Sequence, residues 1–205
     1  MGFQDLSSVA CIHGRFQPFH LGHVDYLSAA LSQWESIVVG IAAPTPVPVS
    51  FPGVEHRNKP SANPLTYLER TLLIRACCRE LGIADARIEF SPFPIDEPSL
   101  LKHYVGKSMI CATTRLYAWN EEKIRRLENE GYAVVVLEKC IKQPFDGSTI
   151  RRHLMDRDPD WKDMVLPSVA ELLVQWAIDD RIRDFAQVET LSGSDNYTNG
   201  GFSQK

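Results

Sequence analysis

The chain has 205 residues, of which 44% are apolar and 23% are charged, a composition that excludes disorder over the whole length. Its 22 basic and 26 acidic residues give a net charge of −4, which lacks the basic excess that binds long nucleic acid, so no nucleic-acid partner is expected. The apolar runs are too short to span a bilayer, which predicts no membrane partner. The five cysteines, odd in number and without a CxxC pair, indicate reduced thiols, and we expect a cytoplasmic protein.

Hydrophobic periodicity predicts strands that alternate with helices along the chain. The predicted strands are 8–13, 37–43, 86–93, 107–112 and 132–137, and the predicted helices are 24–33, 66–81, 120–130, 149–155 and 168–185. A proline-rich loop covers 44–64. This alternation is typical of an α/β protein with a doubly wound parallel sheet, here with a helical C-terminal segment. We predict one domain over 8–185 and a disordered tail at 186–205.

The segment that follows the first predicted strand, residues 14–23, reads GRFQPFHLGH and has the residue types of an anion site. Ligands of open α/β sheets bind at the carboxyl ends of the strands, where this segment lies. Gly14 would let a ligand approach the backbone, and Arg15 offers a guanidinium to phosphate. His20 and His23 share one face at the start of a helix, where the backbone favours anions.

Two other interpretations of the histidines are open. Each could cap the helix or pack in the core, although the pair beside Arg15 favours a binding role. A zinc site formed by His13, His20 and His23 is a further alternative, but no cysteine or carboxylate at ligand spacing completes it.

Residues 14–23 resemble the HxGH signature of the nucleotidyltransferase superfamily, in the form found in nicotinamide-mononucleotide (NMN) adenylyltransferases of archaeal and bacterial type. Residues 63–70 (NPLTYLER) resemble that family's NPFTxxER segment, and residues 146–152 (DGSTIRR) resemble its SGTxIRR signature. The motifs occur in the same order as in the family, and the resemblance covers 8–185. It implies a Rossmann-like nucleotidyltransferase fold.

The resemblance implies that a phosphate oxygen of a small acceptor attacks the α-phosphorus of a nucleoside triphosphate, and that pyrophosphate leaves with Mg²⁺. The Mg²⁺ would be carried by the nucleotide, with no metal site in the protein. By the same resemblance His20, His23 and Arg151 are catalytic. Nucleotide binding is assigned to Gly14, Arg15, Phe16, Gly22, Thr113, Ser148 and Thr149. Members of this family often form homo-oligomers.

The acceptor half departs from the family pattern. Ala62 stands where the archaeal enzymes have an arginine, Tyr104 stands at the apparent place of a tryptophan that stacks on nicotinamide, and 112–114 replace an SGN segment near the base. The residues predicted to bind a small anionic acceptor are Arg57, Lys59, Lys102, Tyr104 and Lys107. The resemblance favours ATP with NMN as substrates. The alternative is CTP-dependent transfer to a small phosphonate or phosphate, which relatives of this family carry out.

Two other function classes share parts of this pattern. A class I aminoacyl-tRNA synthetase also has an HxGH-type signature, but 205 residues leave no room for tRNA-binding domains. A non-catalytic nucleotide sensor would keep the triphosphate site and lose the acceptor contacts. The absence of pyrophosphate release with every acceptor would identify such a sensor.

Overall fold

The computed structural model describes residues 8–43, 59–116, 118–138 and 145–194. Its centre is a parallel sheet of five strands, β1 (Val9–Gly14), β2 (Ser36–Ala42), β3 (Ile88–Phe93), β4 (Ile110–Thr113) and β5 (Val134–Val136). The strands lie in the order β3-β2-β1-β4-β5, and every neighbouring pair is parallel. The predicted doubly wound α/β architecture is therefore confirmed.

Helices cover both faces of the sheet. They are α1 (Leu21–Leu31), α2 (Tyr67–Glu80), α3 (Ala118–Asn129), α4 (Gly147–Asp156), α5 (Pro167–Gln175) and α6 (Ile178–Ser194). The larger apolar core joins α1, α2, α4, α5 and α6 to one face of the sheet. A smaller core contains Leu127 of α3 together with Cys11 and Cys111 from the other face. We call these the α1 face and the α3 face.

The strand order reverses between β1 and β4, which makes their carboxyl ends the topological switch point. Pairing of the two strands is recorded as far as Ile12 and Ala112. Immediately after this last pair, the Tyr26 hydroxyl lies between the two strands. It accepts a hydrogen bond from the His13 N–H (3.3 Å) and donates one to the Ala112 carbonyl. The crevice where ligands of such sheets bind thus begins at His13.

Two of the differences between the predicted and observed elements have a clear structural cause. The fourth strand begins at Ile110 instead of 107, because the Met109 N–H bonds the Gly106 carbonyl (3.0 Å) in a turn. The predicted helix 168–185 consists of two helices, α5 and α6. They are separated at Ala177, which has a φ of 49° that no α-helix accommodates.

The predicted disordered tail was placed too early, because α6 continues through Ser194. Glu189, inside the predicted tail, accepts hydrogen bonds from the backbone N–H (2.7 Å) and hydroxyl (2.8 Å) of Ser61. The residues rich in serine and glycine start only at 192, so composition averaged over 186–205 concealed the end of a helix. Residues 195–205 lie outside the described part of the chain.

Arg70 joins three segments at the carboxyl edge of the sheet. Its side chain is 2% exposed and donates hydrogen bonds to the carbonyls of Arg15 (3.0 Å), Ala42 (2.7 Å), Ala43 (3.0 Å) and Thr66 (3.3 Å). Burial lowers its pKa to about 10, so the guanidinium stays charged at neutral pH. This arginine therefore fixes the loop after β1, the end of β2 and the start of α2 relative to one another.

We expect Arg70→Met to lower the free energy of unfolding by about 3–5 kcal/mol, because the buried carbonyls lose their donor. In a domain of this size that loss shifts the melting temperature by roughly 6–20 °C. Thermal unfolding followed by circular dichroism measures it. The control is Arg79→Met on the same helix, whose side chain is 67% exposed and reaches Asp85 only at 3.7 Å. Equal shifts in the two variants would contradict this role.

Within the described residues no helix is long and apolar enough to cross a bilayer. Cys11, Cys77, Cys78 and Cys111 are buried free thiols, as the cysteine pattern predicts. Cys140 lies outside the described residues.

Candidate active site

The two histidines of the HxGH motif stack on each other at the start of α1. Their ring centroids lie 3.7 Å apart, and the backbone N–H of His20 donates to Nδ1 of His23 at 3.3 Å. Because Nδ1 accepts this bond, a neutral His23 carries its proton on Nε2. The local fold thus prepares His23 as a hydrogen-bond donor through its other nitrogen.

Both rings lie in a largely apolar setting. Phe16 contacts His23 edge to face at 4.9 Å between centroids, and Phe19 lies 5.3 Å from the same ring. Burial lowers the pKa of His20 to about 4; Asp146 opposes this shift, and Arg151 adds to it. Burial, His20 and Lys123 hold the pKa of His23 well below its usual range. Both imidazoles are therefore neutral at pH 7 without ligand.

These lowered values predict a loss of stability in mild acid. Below pH 6.5 the unfolded chain takes up a proton on His20, which the folded chain protonates only near its lowered pKa of about 4, so the free energy of unfolding is largest above pH 6.5 and falls between these values. His23, whose pKa is also lowered, acts in the same direction. By pH 5 the loss from His20 alone is about 2 kcal/mol. Urea unfolding at pH 8, 6.5 and 5 measures it, and His20→Asn should flatten the profile. An identical pH profile in the variant would contradict the assignment.

The structure brings the three sequence motifs together through Gln17. Its side-chain amide donates to the Leu65 carbonyl (2.9 Å) and accepts from the Leu65 N–H (3.0 Å), which joins residues 14–23 to the NPLTYLER segment. Its carbonyl accepts a hydrogen bond from Nη1 of Arg151, which is 8% exposed on α4. Arg15 adds a contact to Asn63 at 3.4 Å. The motifs therefore form one site at the carboxyl end of β1.

Gly147 allows α4 to approach this loop closely. A Cβ on Gly147 would lie 2.9 Å from the carbonyl oxygen of Gln17 and 3.3 Å from Nη1 of Arg151. The first distance is too short for any side chain, so the first residue of α4 must be glycine for the helix N-terminus to reach the loop. This contact sets the spacing between the two predicted phosphate-binding motifs.

The N-terminus of α4 is capped by Asp146, which stands where the SGTxIRR signature has serine. Asp146 accepts hydrogen bonds from the backbone N–H (3.1 Å) and the hydroxyl of Ser148. It also lies close enough for its charge to act on His20, and Arg151 acts on Asp146 in turn. The donors of Ser148 are thus occupied by a carboxylate, whereas half-buried Thr149 follows it in the first turn.

The predicted nucleotide-binding residues of the first motif take different positions. The Phe16 side chain is 1% exposed and packs in the core, so it shapes the site and its ring does not face a ligand. This ring also packs against Gly14, where a Cβ would lie 2.9 Å from it, so the close approach of Phe16 is one reason for glycine at this position. The predicted contact of Gly14 with a nucleotide stays a prediction. Gly22 is buried in α1, and Thr113 is buried at the end of β4.

The described members of the predicted acceptor set lie on separate segments of the chain. Lys107 precedes β4 and lies at the amino edge of the sheet, opposite the HxGH motif, so its assignment is wrong. Lys102 and Tyr104 are exposed in and after the 3₁₀ turn Pro98–His103, and the Tyr104 carbonyl accepts from the Ser91 hydroxyl at 3.2 Å. Lys59 is exposed near Asn63, which donates to its carbonyl. Arg57 lies outside the described residues.

The described residues contain no group of three or more His, Cys, Asp or Glu side chains that could hold a metal ion. His13, His20 and His23 are accordingly not assembled as a zinc site. Asp146 is a carboxylate whose charge acts on His20. In nucleotide sites Mg²⁺ is usually bound by substrate phosphates together with one or two carboxylates, and Asp146 would be the carboxylate available here.

Three important side chains escaped the sequence analysis. Gln17 and Arg70 belong to quoted motifs, but their partners are backbone groups of distant segments, which no local pattern reveals. Lys123 of α3 lowers the pKa of both His13 and His23 by its charge, so it lies near the switch point. Its sequence position amid charged residues is typical of a solvated helix face and gave no signal.

Comparison with known proteins identifies the family. A family model described as cytidylyltransferase-like matches residues 11–153. A phosphonoformate cytidylyltransferase from Streptomyces viridochromogenes is 33% identical over 184 residues, covering 89% of this chain and 100% of the relative. A nicotinamide-nucleotide adenylyltransferase from Picrophilus torridus is 29% identical, covering 87% of this chain and 97% of that protein.

The solved structures agree on the fold. A bifunctional NMN adenylyltransferase/ADP ribose pyrophosphatase from Francisella tularensis superimposes with a TM-score of 0.60 at 13% identity, covering 96% of this chain and 58% of that one. At this low identity the likeness shows that the two proteins share the fold. The chain therefore belongs to the cytidylyltransferase-like family and is a nucleotidyltransferase.

Proposed function

We propose that the protein transfers CMP from CTP to a small phosphonate or phosphate. The observation that carries this choice is the 33% identity to a phosphonoformate cytidylyltransferase, which extends over 100% of that relative, whereas the nicotinamide-nucleotide adenylyltransferases are 26–29% identical to this chain. The departures of the acceptor half from the adenylyltransferase pattern, at Ala62, Tyr104 and 112–114, support the same choice.

In the proposed reaction a phosphonate oxygen attacks the α-phosphorus of CTP. The bond from the α-phosphorus to the bridging oxygen breaks, and pyrophosphate leaves with its Mg²⁺, so no proton transfer and no enzyme-bound intermediate are needed. Catalysis then depends on positioning and on donors for the developing charge. His23 supplies Nε2–H, and Arg151 with Thr149 supplies donors at the N-terminus of α4. Bound Mg²⁺ would neutralise charge on the β- and γ-phosphates.

A second candidate is transfer of AMP from ATP to NMN, the first choice of the sequence analysis. Several archaeal relatives are nicotinamide-nucleotide adenylyltransferases, and they match 78–89% of this chain at 26–29% identity. The phosphate-binding motifs, residues 14–23 and the N-terminus of α4, would bind the triphosphate group that ATP and CTP have in common. Tyr104, which is 49% exposed, would then have to turn toward the nicotinamide.

Pyrophosphate release distinguishes the two candidates. ATP, CTP, GTP and UTP are each paired with phosphonoformate, NMN and nicotinate mononucleotide in the presence of Mg²⁺, and kcat/KM is measured for every pair. We expect CTP with phosphonoformate to exceed ATP with NMN by about 10²-fold or more, the discrimination that a site built for particular hydrogen bonds can reach. A preference for ATP with NMN would reject the cytidylyl assignment and keep the enzyme class. No release with any pair would favour the nucleotide sensor.

A further inference from the structure

His13 and Thr113 are buried polar side chains that lack hydrogen-bond partners within the described chain. Both ring nitrogens of His13, which is 2% exposed, and the hydroxyl oxygen of Thr113, which is 0% exposed, make no hydrogen bond of ordinary geometry, although the Thr113 hydroxyl lies near that of Tyr26. A buried polar group that is left unpaired loses its hydrogen bonds to water without replacement, which destabilises the folded protein. Native proteins keep few such groups, and those that persist call for an explanation such as a ligand-binding role.

The two side chains are neighbours on the α3 face of the sheet. β1 and β4 pair at Cys11 with Cys111 and at Ile12 with Ala112, so the next step of the register sets His13 beside Thr113. Since alternate residues of a strand share a face, both point to the side on which Cys11 and Cys111 pack. The pair therefore lies at the switch point, where the crevice begins.

Lys123 adds a positive charge to this place. It lies on α3, which packs on the same face, and its charge acts on both His13 and His23. The ammonium is therefore within electrostatic range of both His13 and the histidine of the HxGH motif. The three side chains supply an imidazole N–H, a hydroxyl and a cation, which are donors suited to a phosphonate or phosphate.

The in-line geometry of the displacement at the α-phosphorus determines whether the nucleotide or the acceptor reaches these groups. Arg151 and the N-terminus of α4, which would hold the leaving pyrophosphate, belong to an element that packs on the α1 face through Ile150 and Leu154. In an in-line transfer the attacking oxygen and the leaving group lie on opposite sides of the phosphorus. The acceptor must then approach from the α3 face, where His13, Thr113 and Lys123 lie.

We infer that His13, Thr113 and Lys123 bind the anionic group of the acceptor and orient its oxygen toward the α-phosphorus. This inference rests on the proposed function, because it takes the acceptor to be a small phosphonate or phosphate. It replaces the acceptor set predicted around Lys102, Tyr104 and Lys107. Thr113, which the resemblance assigned to the nucleotide, becomes an acceptor residue.

Steady-state kinetics with saturating CTP and varied phosphonoformate test the inference in Thr113→Val and Lys123→Gln. We expect each variant to raise the KM for phosphonoformate about 10- to 100-fold, the effect of losing one hydrogen bond to a charged group. The Kd of CTP, measured by calorimetry without acceptor, should stay within twofold of the wild type. Thermal unfolding checks that Thr113→Val is folded, since valine keeps the shape of the side chain and removes only the hydroxyl.

Arg125→Gln is the matched control, since it removes a positive charge from the same helix at a side chain that is 63% exposed. The inference would be overturned if the KM for phosphonoformate were unchanged in both test variants, or if the Kd of CTP rose while that KM stayed the same. Neither result would contradict the proposed reaction itself. If the wild type instead uses ATP and NMN, the proposed function fails on its own. The same variants are then assayed with NMN, whose phosphate is the anionic group, and an unchanged KM for NMN would overturn the subsite too.

Discussion

Replacing His23 with alanine should lower kcat by at least about 10²–10³-fold, the usual cost of removing one donor that stabilises charge in the transition state. The structure gives the reason. The hydrogen bond from the His20 backbone to Nδ1 keeps the proton on Nε2, and Phe16 and Phe19 hold the ring in place.

Single-turnover rates of pyrophosphate release measure this loss without interference from product release. His103→Ala, an exposed histidine in the turn after β3, is the control and should keep its rate within twofold. His23→Gln should lose less than His23→Ala, because an amide N–H can replace part of the Nε2 donor. Turnover of His23→Ala within tenfold of the wild type would remove His23 from the mechanism.

Gly147→Ala should lower kcat/KM by about 10²-fold, although it adds only a methyl group. That methyl group would lie 2.9 Å from the Gln17 carbonyl, so the N-terminus of α4 must move away from the HxGH loop. A shift approaching 1 Å in a phosphate-binding element is enough for a loss of this size. The Kd of the nucleotide should rise as well, since both motifs bind the same triphosphate.

Gly106→Ala is the matched control for this substitution. Its Cβ would meet only the Ser108 hydroxyl at 3.8 Å, an ordinary contact, and Gly106 lies before β4 at the far edge of the sheet. It should therefore retain wild-type kinetics. Wild-type kinetics in Gly147→Ala would show that the contact between α4 and the loop does not set the geometry of the site.

The sequence predicted the architecture because it depends on patterns that are local. Buried strands such as β2 and capped helices such as α2, with Thr66 and Glu69 as its capping box, can be recognised from a few neighbouring residues. The end of α6 could not be predicted, because Glu189 is held by Ser61, which is 128 residues away. Tertiary contacts of this kind override local composition.

In the candidate site, too, some residues could be predicted from local sequence, whereas others depend on tertiary contacts. The phosphate-binding motifs are contiguous, so His20, His23 and Arg151 could be named from spacing and resemblance. The acceptor side is assembled from β1, β4 and α3, and its members His13, Thr113 and Lys123 have no shared sequence pattern. Charge alone pointed instead to Lys107, which the turn before β4 places at the wrong edge of the sheet.

The most direct test of direct nucleotidyl transfer is ³¹P NMR of the products formed from CTP, Mg²⁺ and phosphonoformate by the wild-type protein. The account predicts free pyrophosphate and a new product in which the phosphonate and phosphate signals are coupled through a shared oxygen. Free CMP with pyrophosphate and unchanged phosphonoformate would mean hydrolysis, and unchanged CTP would mean binding without reaction. Either result, if it also holds for ATP with NMN, would contradict nucleotidyl transfer at this site.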